Sequence, residues 1–189
     1  MTTDLTTDLT TGTSTARAEP LPPPPDLREG VVVGDVLGIS PQVCRAPWSR
    51  LTPLVAHGLA RLRVDVLVVE GGRPRSELDD ADLDPATEHL WVPDGELPVA
   101  CLRIVRDADG VPTLDRACAR PDVRRLGLVS ALVTDVVARR GCGRVRALAL
   151  PGTVTFFARH GFEVCGPPVE SSGARVTPML RHPELPWRD

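Results

Sequence analysis

A short apolar run, a tight basic turn and an amphipathic segment follow one another in residues 114–140, and this succession constrains the fold more than any other part of the chain. The run Leu114–Ala119 predicts a strand, which ends before Pro121 because proline cannot donate to a strand ladder. From Leu128 the apolar residues recur with the spacing of one helix face, and Gly141 predicts the end of that helix. The apolar residues are Leu128, Val129, Leu132, Val133, Val136 and Val137.

The turn between this strand and helix contains Arg124, Arg125 and Gly127. The first backbone N–H groups of a helix have no partner within it, and arginines beside them favour a phosphate or a pyrophosphate. No Lys-Ser/Thr pair follows the glycine and no G-x-G-x-x-G is present, which excludes the two commonest phosphate loops. The alternative is that Gly127 serves only the turn and that the arginines are solvated.

The rest of the chain alternates between strand and helix patterns. Thr52 and Pro53 predict the cap and first residue of a helix whose apolar side extends to Val66, and residues 68–72 predict a loop. This order predicts a mixed α/β domain with one central sheet. The other predicted elements are strands at Val31–Ile39, His89–Val92, Pro98–Val105, Val145–Leu150, Phe162–Cys165 and Arg175–Arg181, and a short helix at Thr153–His160.

The two ends of the chain differ from its middle in composition. Residues 1–26 are rich in threonine and proline and offer no apolar face to bury, which predicts a disordered tail. We interpret residues 27–47 as an extension with a strand, residues 48–183 as the folded domain and residues 184–189 as a second tail.

Charge and composition argue against several classes of function. The net charge is −3 and runs of like charge are short, which argues against a nucleic-acid partner. The apolar runs are too short to cross a membrane, and the N-terminus lacks the features of a secretory signal, so we predict a cytoplasmic protein. The five cysteines include no Cys-x-x-Cys pair and the four histidines are isolated, so no metal site is predicted.

An acidic stretch occupies residues 77–84. It predicts either a solvated acidic loop or an electronegative rim that attracts a cationic amine. Composition alone does not separate these alternatives.

The turn resembles the Arg/Gln-x-x-Gly-x-Gly/Ala signature of the GNAT acyltransferases, which holds the pyrophosphate of coenzyme A. Arg124 and Gly127 match it, whereas Val129 departs from its third position. The chain is also similar to the ElaA-like branch of that superfamily between about Trp48 and Arg181. Four further stretches carry this resemblance: Leu62–Glu70, Glu77–Leu83, His89-Leu90-Trp91, and Phe156 with Gly161-Phe162.

The resemblance implies a GNAT fold, in which a central mixed, mostly antiparallel sheet splays between strands 4 and 5 and is flanked by helices. It implies acetyl-CoA as co-substrate, no metal, and a small-molecule amine that attacks the thioester directly. A homodimer is compatible with it. The implied coenzyme contacts are the strand-four backbone of Ala117, Cys118 and Ala119, and the turn residues Arg124, Arg125, Gly127, Leu128, Val129 and Ser130.

That reaction needs a group to take a proton from the amine and a backbone donor for the oxyanion. By alternation along the strand, Asp115 is expected on the same face as Ala117 and Ala119, as a general base or as an ion-pair partner of an arginine. Glu70 and Glu77 could line an amine pocket. His89 could act as a base or fill a structural position, and we assign the Cys118 side chain to the core.

Several positions depart from the resembling family. Phe157 replaces the tyrosine that protonates the departing thiolate, and the chain contains no tyrosine. Leu150, Gly152 and Val176 stand where many relatives have glutamine or histidine, and Arg125 replaces a frequent glycine. Two alternatives follow: a catalytically degenerate domain that binds an acyl-CoA or a partner, and a GNAT-fold enzyme repurposed in a specialised pathway.

Overall fold

The computed structural model describes residues 41–183 except 73, 75, 107, 141 and 142. The predicted strand Val31–Ile39, both tails and the helix stop at Gly141 lie outside the described residues. The strands are β1 (Cys44–Ala46), β2 (Glu88–Asp94), β3 (Leu97–Arg106), β4 (Pro112–Ala119), β5 (Val145–Ala149), β6 (Glu163–Val164), β7 (Val169–Ser171) and β8 (Ala174–Arg181). The helices are α1 (Pro53–Arg63), α2 (Leu128–Arg140) and α3 (Val154–Ala158).

The strands form one sheet in the order β1-β2-β3-β4-β5-β8-β6, and β7 adds to β8. β4 and β5 run parallel, while the other pairs are antiparallel. The predicted mixed, mostly antiparallel sheet is therefore confirmed. β1 belongs to this sheet although its residues lie in the segment that we interpreted as an extension.

The sheet opens between β4 and β5. Within the described chain these strands pair only at Thr113 with Arg146 and at Leu114 with Ala147. Beyond these pairs β4 continues to Ala119 and β5 to Ala149 without further pairing between the two strands. The predicted splay is confirmed, and it leaves one edge of β4 open to a ligand.

A helix covers each face of the sheet. Leu132, Val133 and Val136 of α2 are fully buried on one face, as the apolar spacing predicted. On the other face, Leu59 and Leu62 of α1 pack with the apolar core around Trp91, Cys101 and Cys118. Because β4 lies between these two cores, its backbone has a fixed position.

α1 begins as predicted and continues further than predicted. The Thr52 hydroxyl accepts a hydrogen bond from the Val55 N–H at 3.3 Å, which caps the helix. The predicted loop at residues 68–72 is partly wrong, because residues 64–70 form a π-helix closed by a bond from the Gly71 N–H to the Val66 carbonyl at 3.2 Å. The wider turn lets Leu67 be buried while Glu70 stays exposed.

The C-terminal region contains one strand more than predicted. β7 and β8 form a hairpin whose turn residues, Ser172 and Gly173, both have positive φ angles, of 48° and 75°. Two positive φ angles produce a tight turn that matches the twist of the flanking strands. The Ser-Gly pair was a visible turn signal that the sequence analysis did not use.

Candidate functional site

A cleft of about 760 Å³ extends from the open edge of β4 to the first turn of α2. β5, α3 and β8 form its other walls. Its size lies within the range of small-molecule sites. The residues that line it include Leu67, Asp115, Ala117, Ala119, Arg124, Arg125, Gly127, Leu128, Val129, Ser130, Leu148, Leu150, Gly152, Phe156, Phe157 and Val176.

A β-bulge interrupts β4 beside this cleft. Asp115 pairs with Arg103 and Cys118 pairs with Cys101, so two residues of β4 oppose one of β3. Arg116 has a φ angle of 53°, in the left-handed region. The bulge breaks the alternation of side chains, so the prediction that Asp115 shares a face with Ala117 is wrong.

Asp115 instead forms an ion pair on the other face. Its two carboxylate oxygens accept hydrogen bonds from Arg103 Nε and Nη2 at 2.9 and 2.8 Å. This is the second of the two predicted roles for Asp115. Its side chain still borders the cleft and is 14% exposed. Both oxygens of this carboxylate therefore already accept hydrogen bonds from the Arg103 guanidinium.

Behind Asp115 lies a network of buried ion pairs, which contains three arginines and four carboxylates. Arg63 binds Glu77 at 3.0 Å and Asp82 at 2.7 Å. The remaining pairs are Arg103 with Asp79, Asp82 and Asp115, and Arg116 with Asp79 and Glu77.

This network corrects the interpretation of Glu77, Asp79 and Asp82 in the acidic stretch, whereas Asp80 and Asp84 are exposed. Glu77 and Asp82 are each 3% exposed, so they form neither a solvated loop nor a rim around an amine. Burial raises the pKa of Asp82, but hydrogen bonds and charge from Arg63 and Arg103 outweigh it and hold that pKa below its usual value. The arginines therefore keep the buried Asp82 ionised.

His89 lies away from the cleft. It is 2% exposed, its ring contacts Trp48 edge-on at 5.1 Å between ring centres, and its Nε2 lies 3.2 Å from the Asp82 carbonyl oxygen. Burial is the main cause that lowers the pKa of His89. These contacts correspond to the structural role that was one of its two predicted alternatives.

Arg124 and Glu70 meet at the mouth of the cleft. Arg124 donates from Nη1 and Nη2 to the two carboxylate oxygens of Glu70 at 2.6 and 2.5 Å. Its Nε donates to the Ala119 carbonyl oxygen at 3.2 Å, which ties the side chain to the end of β4. The hydrogen bond and charge of Arg124 lower the pKa of Glu70. The sequence analysis had selected both residues but had not predicted that they touch.

The turn before α2 presents its backbone to the cleft. Arg125 and Gly127 have φ angles of 64° and 77°, and the Gly127 carbonyl accepts from the Ala131 N–H at 2.9 Å. The helix therefore starts directly after Gly127, and the N–H groups of its first turn have no acceptor within the helix. Such a group of amides at a positive helix end is suited to a phosphate.

Ser130 in this first turn has a partner that the sequence analysis missed. Its Oγ lies 2.7 Å from His160 Nε2, and the His160 ring packs on Phe156 at 4.9 Å between ring centres. Burial lowers the pKa of His160. No local pattern links residues 130 and 160, because only the folded chain brings α2 and the end of α3 together.

The backbone of β4 and two of its small side chains line the cleft. Ala117 and Ala119 line the cleft, whereas the Cys118 side chain points to the opposite face, where its sulfur lies 3.5 Å from that of Cys101. The contact with Cys101 and burial both raise the pKa of Cys118. Cys118 can therefore contribute only its backbone to the cleft.

Four of the six departures from the resembling family lie together on the opposite wall. Leu150, Gly152, Phe157 and Val176 all line the cleft. Phe157 is 4% exposed and contacts Phe156 and Phe162 edge-on. These four positions therefore place no side chain that can transfer a proton in the cleft.

In the part of the chain that the structure describes, no group of three or more histidine, cysteine or acidic side chains is placed to hold a metal ion. No helix among the described residues has the length and apolar character needed to cross a membrane.

The sequence matches the acetyltransferase (GNAT) domain over residues 78–182. It is also 34% identical over 147 residues to UPF0039 proteins of Mycobacterium tuberculosis and Mycobacterium bovis, which covers 74% of this chain and 93% of theirs. Among solved structures, Escherichia coli ElaA superposes with a TM-score of 0.67 at 20% identity, over 75% of this chain and 99% of that one. An acyl-CoA N-acyltransferase from Pseudomonas aeruginosa superposes with a TM-score of 0.66 at 22% identity, over 74% and 99%. The chain thus belongs to the GNAT acetyltransferase family.

Proposed function

We propose that this protein transfers an acyl group, with acetyl as the simplest case, from coenzyme A to a small-molecule amine by direct attack. One observation carries the proposal: a single cleft joins the open edge of β4 to the first turn of α2, with Arg124 at its mouth. Family membership and the named activity of the Pseudomonas aeruginosa structure support the acyl-CoA donor.

In this proposal the chain acts mainly by positioning the reactants. The α2 turn and Arg124 hold the diphosphate, and the open edge of β4 pairs with the pantetheine arm. A backbone N–H near Ala117 stabilises the oxyanion that forms when the amine attacks the thioester carbon. The orientation of two bound reactants can lower the barrier by about 7 kcal/mol or more without a special side chain.

Proton transfer relies on water as much as on side chains. The attacking amine loses a proton through water to Asp115, whose carboxylate borders the cleft but is held by Arg103. The departing thiolate gains its proton from solvent, because Phe157 has no hydroxyl. Both features predict slower turnover than a site with a free base and a tyrosine acid would give.

The apolar wall favours a second candidate, a domain that binds an acyl-CoA without efficient transfer. Two measurements separate the candidates. Calorimetry with acetyl-CoA tests binding. The absence of any heat of binding at millimolar acetyl-CoA would contradict both candidate functions. If the coenzyme binds, thiol release with a panel of primary amines tests transfer: amine-dependent release supports the enzyme, and its absence across the panel supports the binding protein.

A further inference from the structure

The contact between Arg124 and Glu70 has a consequence for coenzyme binding. A carboxylate held on both oxygens by the fork of a guanidinium occupies the positions that two phosphate oxygens would take. The distances of 2.6 and 2.5 Å show that Glu70 fills that fork. Any diphosphate that binds Arg124 through the same nitrogens must first displace Glu70.

We propose that Glu70 competes with the coenzyme for Arg124 and thereby lowers the coenzyme affinity. This inference rests on the proposed acyl-CoA site. Glu70 is well placed for this role because the π-helix ends with it beside the cleft mouth, three residues after Leu67, which lines the cleft. The Arg124 side chain can exchange partners without leaving the site, since its Nε stays bound to the Ala119 carbonyl oxygen.

The strength of the contact decides whether exchange is feasible. The side chains of Glu70 and Arg124 are 45% and 39% exposed, so water screens the ion pair. Exposed ion pairs of this kind contribute little free energy. A diphosphate with two negative charges at the helix terminus can therefore displace the Glu70 carboxylate from Arg124. The competition therefore lowers affinity by a small factor and does not block binding.

The central test is a coenzyme A titration of the full chain and its Glu70→Gln variant by calorimetry. The amide keeps the shape of the side chain but loses the charge, so we expect the Kd for coenzyme A to fall about two- to fivefold. An equal or higher Kd in the variant would overturn the inference.

Two controls isolate the mechanism. Asp65→Asn removes the same charge from the same π-helix, but Asp65 pairs with Arg61 and not with Arg124, so its Kd should stay near that of the unmodified chain. In an Arg124→Ala background, Glu70→Gln should not increase the affinity for coenzyme A, because the guanidinium for which Glu70 competes is absent. The inference would be overturned if Asp65→Asn increased the coenzyme A affinity as much as Glu70→Gln does, or if the effect of Glu70→Gln persisted without Arg124. Either result would show a general effect of charge.

These outcomes are distinct from failure of the proposed function. If the unmodified chain binds coenzyme A and Glu70→Gln matches it, the acyl-CoA site stands and only the competition is refuted. If none of the proteins binds coenzyme A while circular dichroism shows each to be folded, the proposed function is refuted and this inference with it.

Discussion

At the scale of single residues, Arg125 shows a conflict between stability and ligand binding. It has a φ angle of 64°, which costs a residue with a Cβ about 1–2 kcal/mol relative to glycine. Arg125 also lines the cleft beside the α2 turn. The chain therefore retains a strained arginine where a glycine would fit the backbone, as expected if its charge attracts the coenzyme.

We expect Arg125→Gly to raise the free energy of unfolding by about 0.5–1 kcal/mol, since relief of strain exceeds the added freedom of the unfolded chain. Arg125→Ala should give no such gain, because alanine keeps the strain. Both variants should weaken coenzyme A binding to a similar extent. Urea unfolding and calorimetry measure the two effects, and an equal stability of both variants would contradict the role of strain.

Arg124→Ala should weaken coenzyme A binding by about 1–3 kcal/mol, the value of a charge-assisted contact. Arg120→Ala is the matched control, because Arg120 carries the same charge nearby but pairs with Asp122 and Asp94 on the surface. Calorimetry with the two variants checks this, and equal losses in both would remove Arg124 from the site.

Phe157→Tyr should restore the missing acid. A hydroxyl at this position can protonate the departing thiolate, so we expect kcat for amine-dependent thiol release to rise by about tenfold or more. Phe156→Tyr, on the adjacent ring, is the control and should leave kcat nearly unchanged. If Phe157→Tyr folds and binds coenzyme A but gains no rate, thiolate protonation does not limit turnover.

The residue predictions failed where a neighbour in space decided the outcome. Asp115 changed face because of a bulge whose register depends on β3, and the alternation of a single strand cannot reveal it. Arg124 and Gly127, by contrast, belong to one continuous turn, so their spacing alone predicted their place together at the cleft.

At the scale of elements, local signals predicted where α1 starts but not how it ends. The Thr-Pro pair gave the cap and first residue, since both effects act within one turn. The π-helix at residues 64–70 depends on the burial of Leu67 against the sheet, which the local pattern does not contain.

The Thr52 cap yields a test of this element. We expect Thr52→Ala to lower the free energy of unfolding by about 0.5–2 kcal/mol, because the Val55 N–H loses its acceptor. Thr52→Ser keeps a hydroxyl at the same place and should retain most of the stability. Chemical denaturation of the two variants measures the difference, and equal losses would mean that the cap contributes nothing.

At the scale of the whole molecule, the sheet with its splay was predictable because ordered motifs along the chain implied a known architecture. The buried ion-pair network was not. Its arginines at positions 63, 103 and 116 and its carboxylates at positions 77, 79, 82 and 115 come from separate stretches of the sequence and meet only in the folded chain. The acidic stretch supplies counterions to the interior, a role that composition alone could not distinguish from a solvated loop.

The ionisable groups of this interior predict how stability depends on pH. Burial lowers the pKa of His89 and His160 in the folded state, so the unfolded chain binds more protons and stability falls as pH drops through about 6.5. Asp79 and Asp82 also have lowered pKa values, because their arginine partners outweigh the effect of burial. The contribution of these two carboxylates to the free energy of unfolding is complete above about pH 4 and is lost as the pH falls below that value.

Urea unfolding between pH 8 and pH 3 should therefore show two declines, one below about pH 6.5 and one below about pH 4. His89→Gln should flatten the first decline, since the buried ring that resists protonation is gone, whereas the exposed His57→Gln should not. The comparison uses the slope with pH within each variant, so it holds even if His89→Gln is less stable throughout. An unchanged slope in His89→Gln would mean that His89 accepts its proton without unfolding and that the network around Asp82 tolerates an added positive charge.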